Sequence, residues 1–249
     1  MAGRIVTLGT AITETVDALG LGTLIVATDV TSEHPAYIKK LPKVSRNRSL
    51  SVEGLMQFQP DLVLAQEGDI SSAVLTQLKK IGVKVISIHQ EFSVKGAERF
   101  IMDVAGALQV KQQGELLVQQ MRKKFEAIHQ QVKNDTKPTV KVLFIYARGA
   151  GNMTVAGKGS NMDAIIQLAG GCNAVQEFTQ FKPYSTEALI KTNPDVLLLF
   201  DFGAGSLGGN DAILKMPGVM LTNAGKNKRI VTVDGPLMIN FAARLPEAM

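Results

Sequence analysis

The chain has 249 residues, with 27 lysines and arginines against 22 aspartates and glutamates, 45% apolar content, one cysteine and no tryptophan. That length and apolar fraction suit one large domain or two small ones with substantial cores, and a net charge of +5 without a basic block excludes the footprint of a nucleic-acid binder. A single cysteine excludes an internal disulfide and a thiolate metal cluster, and no apolar run reaches the roughly 18 residues of a membrane span.

Taken in chain order, residues 4–8 form an apolar run that leads into helical periodicity over 11–19, and a second apolar run follows at 24–28. Residues 62–66 lead into a helix over 71–81, and 83–88 form a further strand. Strand, helix and strand in alternation predict α/β layering. From about Ala97 to Val132 there is no proline. Ile101, Val104, Ala105, Leu108, Leu117, Met121, Phe125, Ile128 and Val132 recur at intervals of mostly three or four, which predicts one long helix on the order of 50 Å. Such a helix is longer than one lobe needs for its own core and would act as a rigid spacer. Asn134-Asp135-Thr136-Lys137-Pro138 stops it. The second half repeats the plan, with a strand at 140–146, a helix over 162–168 ended by Gly170-Gly171, a helix at 187–192 before the strand 195–200, and a last strand at 229–233. The expected organisation is an α/β lobe over 1–95, a connecting helix over 96–133 and a second α/β lobe over 134–249.

One phrase occurs in both halves. Ser51-Val52-Glu53-Gly54-Leu55 precedes Pro60-Asp61-Leu62-Val63-Leu64, and Ser185-Thr186-Glu187-Ala188-Leu189 precedes Pro194-Asp195-Val196-Leu197-Leu198. Each copy reads as a serine-capped short helix, a Pro-Asp turn and an apolar strand. Glu53 and Glu187 are first-turn acids, a position the helix dipole favours for any acid. As a pair they also read as equivalent surface charges for a partner that touches both lobes.

The carriers of a family resemblance are Arg4-Ile5-Val6-Thr7-Leu8, then Thr13-Glu14-Thr15-Val16 and Leu19-Gly20, then Lys40-Leu41-Pro42-Lys43-Val44, the phrase around Glu53 and Pro60-Asp61, and Leu78-Lys79-Lys80-Ile81-Gly82-Val83. With these the chain resembles, over nearly its whole length, the ABC-transporter substrate-binding proteins that carry haem, cobalamin and ferric siderophores. The resemblance implies a class III periplasmic-binding-protein fold, with two Rossmann-like α/β lobes, each with a central sheet, joined by one long helix. It implies a periplasmic or other extracytoplasmic site of action, with a signal sequence expected ahead of the chain and a final helix expected beyond Met249. It also implies a monomer that delivers its ligand to an ABC permease, with Glu53 and Glu187 as the lobe-tip acids that pair with permease arginines.

Val155-Ala156-Gly157-Lys158-Gly159-Ser160, Leu168-Ala169-Gly170-Gly171-Cys172-Asn173 and Phe181-Lys182-Pro183-Tyr184-Ser185 look most like the hemin-binding members. Haem is then the transported ligand, and the protein has no cofactor of its own. Ferric siderophore or cobalamin binding is the alternative on the same fold; cobalamin binders tend to line the cleft with tryptophan, which this chain lacks. Haem binders of this type usually place a tyrosine after the Leu-Pro-x-Val segment, two residues before an arginine, so that the phenolate ligates iron and the arginine supports its charge. Here Ser45-Arg46-Asn47-Arg48 stands in that place, so Arg48 matches the arginine and Arg46 replaces the tyrosine. A guanidinium cannot ligate iron. The histidine that some relatives use before the second-lobe Lys-Pro segment is also absent from 174–181.

The candidate ligand-binding residues are Arg46, Arg48, Tyr146, Lys182 and Tyr184, with the two arginines suited to clamp propionates or another carboxylate by paired hydrogen bonds. His34, in the loop after the second strand, is the candidate metal ligand, while His89 and His129 read as structural or solvated residues. An enzyme is the competing class, because Gly203-Ala204-Gly205-Ser206-Leu207-Gly208 satisfies the dinucleotide fingerprint and Asp234 follows the next strand. That fingerprint requires a substantial helix opening at its third glycine, and Lys215-Met216-Pro217-Gly218 cuts the segment short. No other catalytic motif is present, and the expectation is a binding protein, not an enzyme.

Overall fold

A computed structural model describes residues 3–45, 49–135, 137–149 and 153–249. The chain divides into two compact units, Met1–Lys124 with Ile239–Pro246, and Phe125–Met238 with Glu247–Met249.

In the first unit the strands β1 (Ile5–Thr7), β2 (Ile25–Thr28), β3 (Leu62–Gln66) and β4 (Lys84–Ile88) form a parallel sheet in the order β2-β1-β3-β4. Successive side chains of a strand point to opposite faces, so each strand feeds two cores. Ile5, Leu62, Leu64 and Ile88 pack on one face with α1 (Thr10–Val16) and α4 (Val94–Ala107). Val6, Leu8, Val63 and Ala65 pack on the other with α2 (Val52–Met56) and α3 (Ser72–Lys80).

The segment expected to be one helix over 97–132 is two, α4 and α5 (Lys111–Asn134). Gln109 takes a left-handed conformation at φ 61°, its N–H donates to Gly106 O, and Val110 N–H donates to Ala105 O. That bonding satisfies the carbonyls a helix end leaves open. Periodicity did not reveal the stop because the apolar spacing carries on across it and the left-handed position holds glutamine where a glycine would have signalled the end. The two helices approach closely at Gly114, where a Cβ would lie 2.5 Å from Ala105 Cβ.

The second unit contains β5 (Lys141–Tyr146), β6 (Thr154–Ala156), α6 (Asn161–Leu168), β7 (Cys172–Asn173), β8 (Phe181–Pro183), α7 (Thr186–Thr192) and β9 (Val196–Phe200). These are followed by α8 (Asp201–Ser206), α9 (Asn210–Leu214), α10 (Asn223–Lys226), β10 (Ile230–Val233) and α11 (Gly235–Ile239), whose last residue returns to the first unit. The sheet runs β10-β9-β5-β6-β8 with β7 beside the start of β5; β10, β9, β5 and β7 are parallel, and β6 and β8 are antiparallel additions.

The repeated phrase builds the same object twice. Ser51 Oγ accepts from Gly54 N–H at 3.0 Å, and Ser185 Oγ accepts from Ala188 N–H at 3.1 Å. Gln59 and Asn193, each just before the Pro-Asp turn, both sit at positive φ, 45° and 46°. Asp61 accepts from the N–H groups of Gly3 and Arg4 ahead of β1, and Asp195 accepts from Lys141 N–H at the start of β5. The Arg4 side chain donates to Phe58 O at 2.7 Å, and Lys141 Nζ donates to Thr192 O at 3.2 Å, so a cation closes the carboxyl end of the helical segment in each unit.

Candidate functional site

In an open parallel sheet, ligands gather outside the carboxyl ends of the strands, where the strand order reverses. In the first unit that point lies between β1 and β3. A cavity of about 210 Å³ occurs there, lined by Gly9, Thr10, Asp29, Ser45, Leu50 and Gln66 among others. Its polar wall is held by Asp29, which accepts from Gly9 N–H at 3.0 Å, Thr31 N–H at 3.1 Å and the Ser32 hydroxyl at 2.6 Å. Lys43 Nζ donates to Thr28 Oγ1 at 2.7 Å and Ser32 O at 2.8 Å, tying the Leu41-Pro42-Lys43-Val44 segment to the end of β2. Burial lowers the Lys43 pKa, against the opposing pull of Asp29 and Glu33.

Arg46 and Arg48 lie outside the described residues, though Ser45 and Leu50 on either side of them line this cavity. His34 is exposed in the loop ahead of Pro35 and is not part of the cavity lining. Among the described residues, no group of three or more histidine, cysteine or carboxylate side chains is placed to hold a metal ion. Tyr37 spends its hydroxyl on Asp17, and burial followed by that contact raises its pKa.

In the second unit the equivalent point lies between β5 and β9. Tyr146, the last residue of β5, is half-buried, with its ring edge-on to Phe181, Phe200 and Phe202 at centroid distances of 6.2 to 6.5 Å. Arg148 Nε donates to Tyr146 Oη at 2.6 Å, and its guanidinium lies 5.8 Å from the Tyr146 centroid and 5.5 Å from that of Phe202. Gly149 N–H donates to Ser206 Oγ at 2.9 Å, which fixes the turn after β5 to α8. Phe181 and Phe202 are each 38% exposed, so the cluster presents aromatic surface as well as a charged phenol–guanidinium pair.

Lys182 and Tyr184, the other candidate ligand-binding residues of this unit, do not join the cluster around Tyr146. Along β8 the side chains alternate, so Phe181 faces Phe144 and Tyr146, while Lys182 Nζ lies 5.4 Å from the Phe178 centroid. Tyr184 is 9% exposed in the core, its hydroxyl shared with Glu177 and Thr192, and burial raises its pKa. Arg148 is not among the sequence candidates, although Tyr146-Ala147-Arg148 has the tyrosine-x-arginine spacing that the resemblance places after the Leu-Pro segment. A larger cavity of about 570 Å³ lies elsewhere in this unit, along the end of α5 and strand residues such as Val142 and Val196, and holds none of the expected ligand-binding residues. The glycines of 203–208 fall within and just after the six-residue α8, so they open no long helix toward a pyrophosphate.

Glu53 and Glu187 stand on the first turns of α2 and α7, both exposed. The Glu187 backbone N–H and the Ser185 hydroxyl hold the Glu187 carboxyl below the usual carboxylate range.

Two α/β units, with a 24-residue helix whose residues fall in both, match the architecture expected of the class III periplasmic-binding-protein fold. The sequence profile of the periplasmic binding protein family matches residues 5–237, and the chain belongs to that family. It is similar to the periplasmic heme-binding protein RhuT from Roseiflexus sp. RS-1 in its apo form, at 35% identity and a TM-score of 0.94, over 100% of this chain and 95% of that one. It is also similar to an uncharacterized ABC transporter substrate-binding lipoprotein, YvrC of Bacillus subtilis (strain 168), at 28% identity over 99% of this chain and 77% of that protein. A vitamin B12-binding protein of Vibrio campbellii (strain ATCC BAA-1116) is 25% identical over 79% of this chain and 70% of its own length.

Proposed function

We propose that this chain, as the extracytoplasmic substrate-binding component of an ABC importer, carries haem. The observation that carries the proposal is the Tyr146–Arg148 pair set among Phe181, Phe200 and Phe202 at the carboxyl ends of β5 and β9. A haem asks for flat apolar walls, an oxygen or nitrogen ligand for ferric iron and cations for its propionates. The aromatic rings supply the first, and the Tyr146 phenol, of the residue type that ligates haem iron in some proteins, supplies the second. Arg148 supports the charge on that oxygen through its hydrogen bond.

Iron is assigned to Tyr146 and not to the exposed His34, while Arg46 and Arg48 keep the carboxylate-clamping role that guanidinium chemistry suits. The heme-binding neighbour at 35% identity supports this ligand over others. Cobalamin is the second reading, favoured by the vitamin B12-binding relative and opposed by the lack of any tryptophan in the chain. The loaded protein then presents Glu53 and Glu187 to permease arginines.

Titration of the purified protein with hemin, followed in the Soret band and run beside cyanocobalamin, tests the proposal. A saturable one-to-one response to hemin, with the band displaced in Tyr146→Phe, is expected. A featureless response to hemin, or a Tyr146→Phe spectrum identical to the parent, overturns it, and saturable binding of cyanocobalamin alone moves the assignment to the second reading.

A further inference from the structure

The two acid-bearing helices are alike in backbone and capping, yet their surroundings differ. Gly218, at φ 81°, approaches α7 so closely that a Cβ there would lie 2.7 Å from Thr186 Cγ2 and 3.2 Å from Ile190 Cγ1. The single helical turn Val219–Leu221 that follows is pinned at both ends. Val219 is fully buried in the core, and the buried Thr222 donates its hydroxyl to Val219 O and accepts from Gly225 N–H as the cap of α10. Between those anchors Met220 is 49% exposed and Leu221 60% exposed, and Ile190, three residues after Glu187 on α7, is 36% exposed. Residues three apart on a helix share a face, so Ile190 lies beside Glu187.

Resting on the docking role proposed for Glu187, we infer that Ile190, Met220 and Leu221 form an apolar contact beside that acid. Its partner is the permease surface, where apolar side chains flank the arginine that meets Glu187. A pinned turn that holds two large apolar side chains in water is a feature of interaction surfaces, and scattered single residues are not. The occupant is a mixed basic and apolar patch because the ionised Glu187 lies next to it. Contact at Glu187 then combines an ion pair that salt screens with an apolar part that it does not.

The test measures how much hemin-loaded protein half-saturates the ATP hydrolysis of its own importer in proteoliposomes, at about 0.05 M and about 0.5 M salt. Met220→Gln/Leu221→Gln is expected to raise the half-saturating concentration at least roughly tenfold, with a larger relative effect at the higher salt, where the ionic part is screened. The hemin titration and thermal midpoint should stay as in the parent. Ile190→Gln, on a different element, should act in the same direction. The inference is overturned if these variants leave half-saturation unchanged at both salts while Glu53→Lys/Glu187→Lys abolishes stimulation. If the charge reversal itself leaves stimulation intact, the docking role of the acids falls, and the apolar contact falls with it.

Discussion

Tyr146 is the last residue of a buried strand, and such a residue has two possible environments. Its ring can turn back into the core with a satisfied hydroxyl, as Tyr184 does, or it can stand at the strand's carboxyl end among other rings with its oxygen at the surface. The Arg148 contact selects the second, because a guanidinium needs water or an anion and draws the phenol oxygen toward it. Loss of a hydrogen bond to a charged group costs about 1.5–3 kcal/mol, so Arg148→Ala should weaken hemin binding by roughly tenfold to a hundredfold while Arg148→Lys retains part of it. Equilibrium Soret titrations of the two variants check this, and equal affinities for Arg148→Ala and the parent would remove Arg148 from the site. The same tyrosine-x-arginine spacing is the one the family resemblance places after Leu41-Pro42. The residue types of the proposed site are therefore legible in the sequence, but which strand end gathers them is not, because spacing says nothing of which side chains share a face.

At the scale of elements, the break between α4 and α5 turns an expected spacer into a packed pair. Glu98 of α4 receives both Nε and Nη2 of Arg122 of α5, and that pairing holds the Glu98 carboxyl below its ordinary range. A carboxylate with a depressed folded-state pKa adds stability above its unfolded pKa, about 4.3 for glutamate, and loses it as pH falls through the folded value. Glu98→Gln should therefore be less stable than the parent at pH 7, with the gap in urea midpoint closing as pH drops below about 4. A gap that stays constant with pH would show that the pair contributes nothing through its charge.

Gly114 makes the same contact from the side of packing. Alanine there gains about 1 kcal/mol of helix propensity, yet its methyl would lie 2.5 Å from the Ala105 Cβ, which is fixed to a helix backbone and cannot yield. Overpacking of this kind costs about 1–3 kcal/mol, so Gly114→Ala is expected to lower the thermal midpoint despite its better propensity. A raised midpoint would show that the two helices have room to part.

For the whole molecule, duplication is the organising fact, since one cap, one Pro-Asp turn and one cation at the helix end recur in each unit. Two acids displayed by the same local device suit a partner that reads both, and rim charges govern association more than ligand affinity. Glu53→Lys/Glu187→Lys should therefore abolish uptake in a transport assay and leave the hemin titration of the purified protein unaltered. Loss of hemin binding in that double variant would contradict the division of labour.

The sequence by itself determined the α/β layering, the duplicated helix–turn–strand unit, the capping serines and the surface acids. All of these rest on interactions between residues a few positions apart, where periodicity and turn chemistry act directly. Tertiary structure alone decided that the long helix divides at Gln109, because a left-handed glutamine carries no local signal and is held by bonds to Ala105 and Gly106 within a packed pair. It also decided that Tyr146 meets Phe181, Phe200 and Phe202 while Lys182 and Tyr184 turn away. Those rings come from two other strands and a helix, and only the pairing and alternation of the sheet bring them to one place.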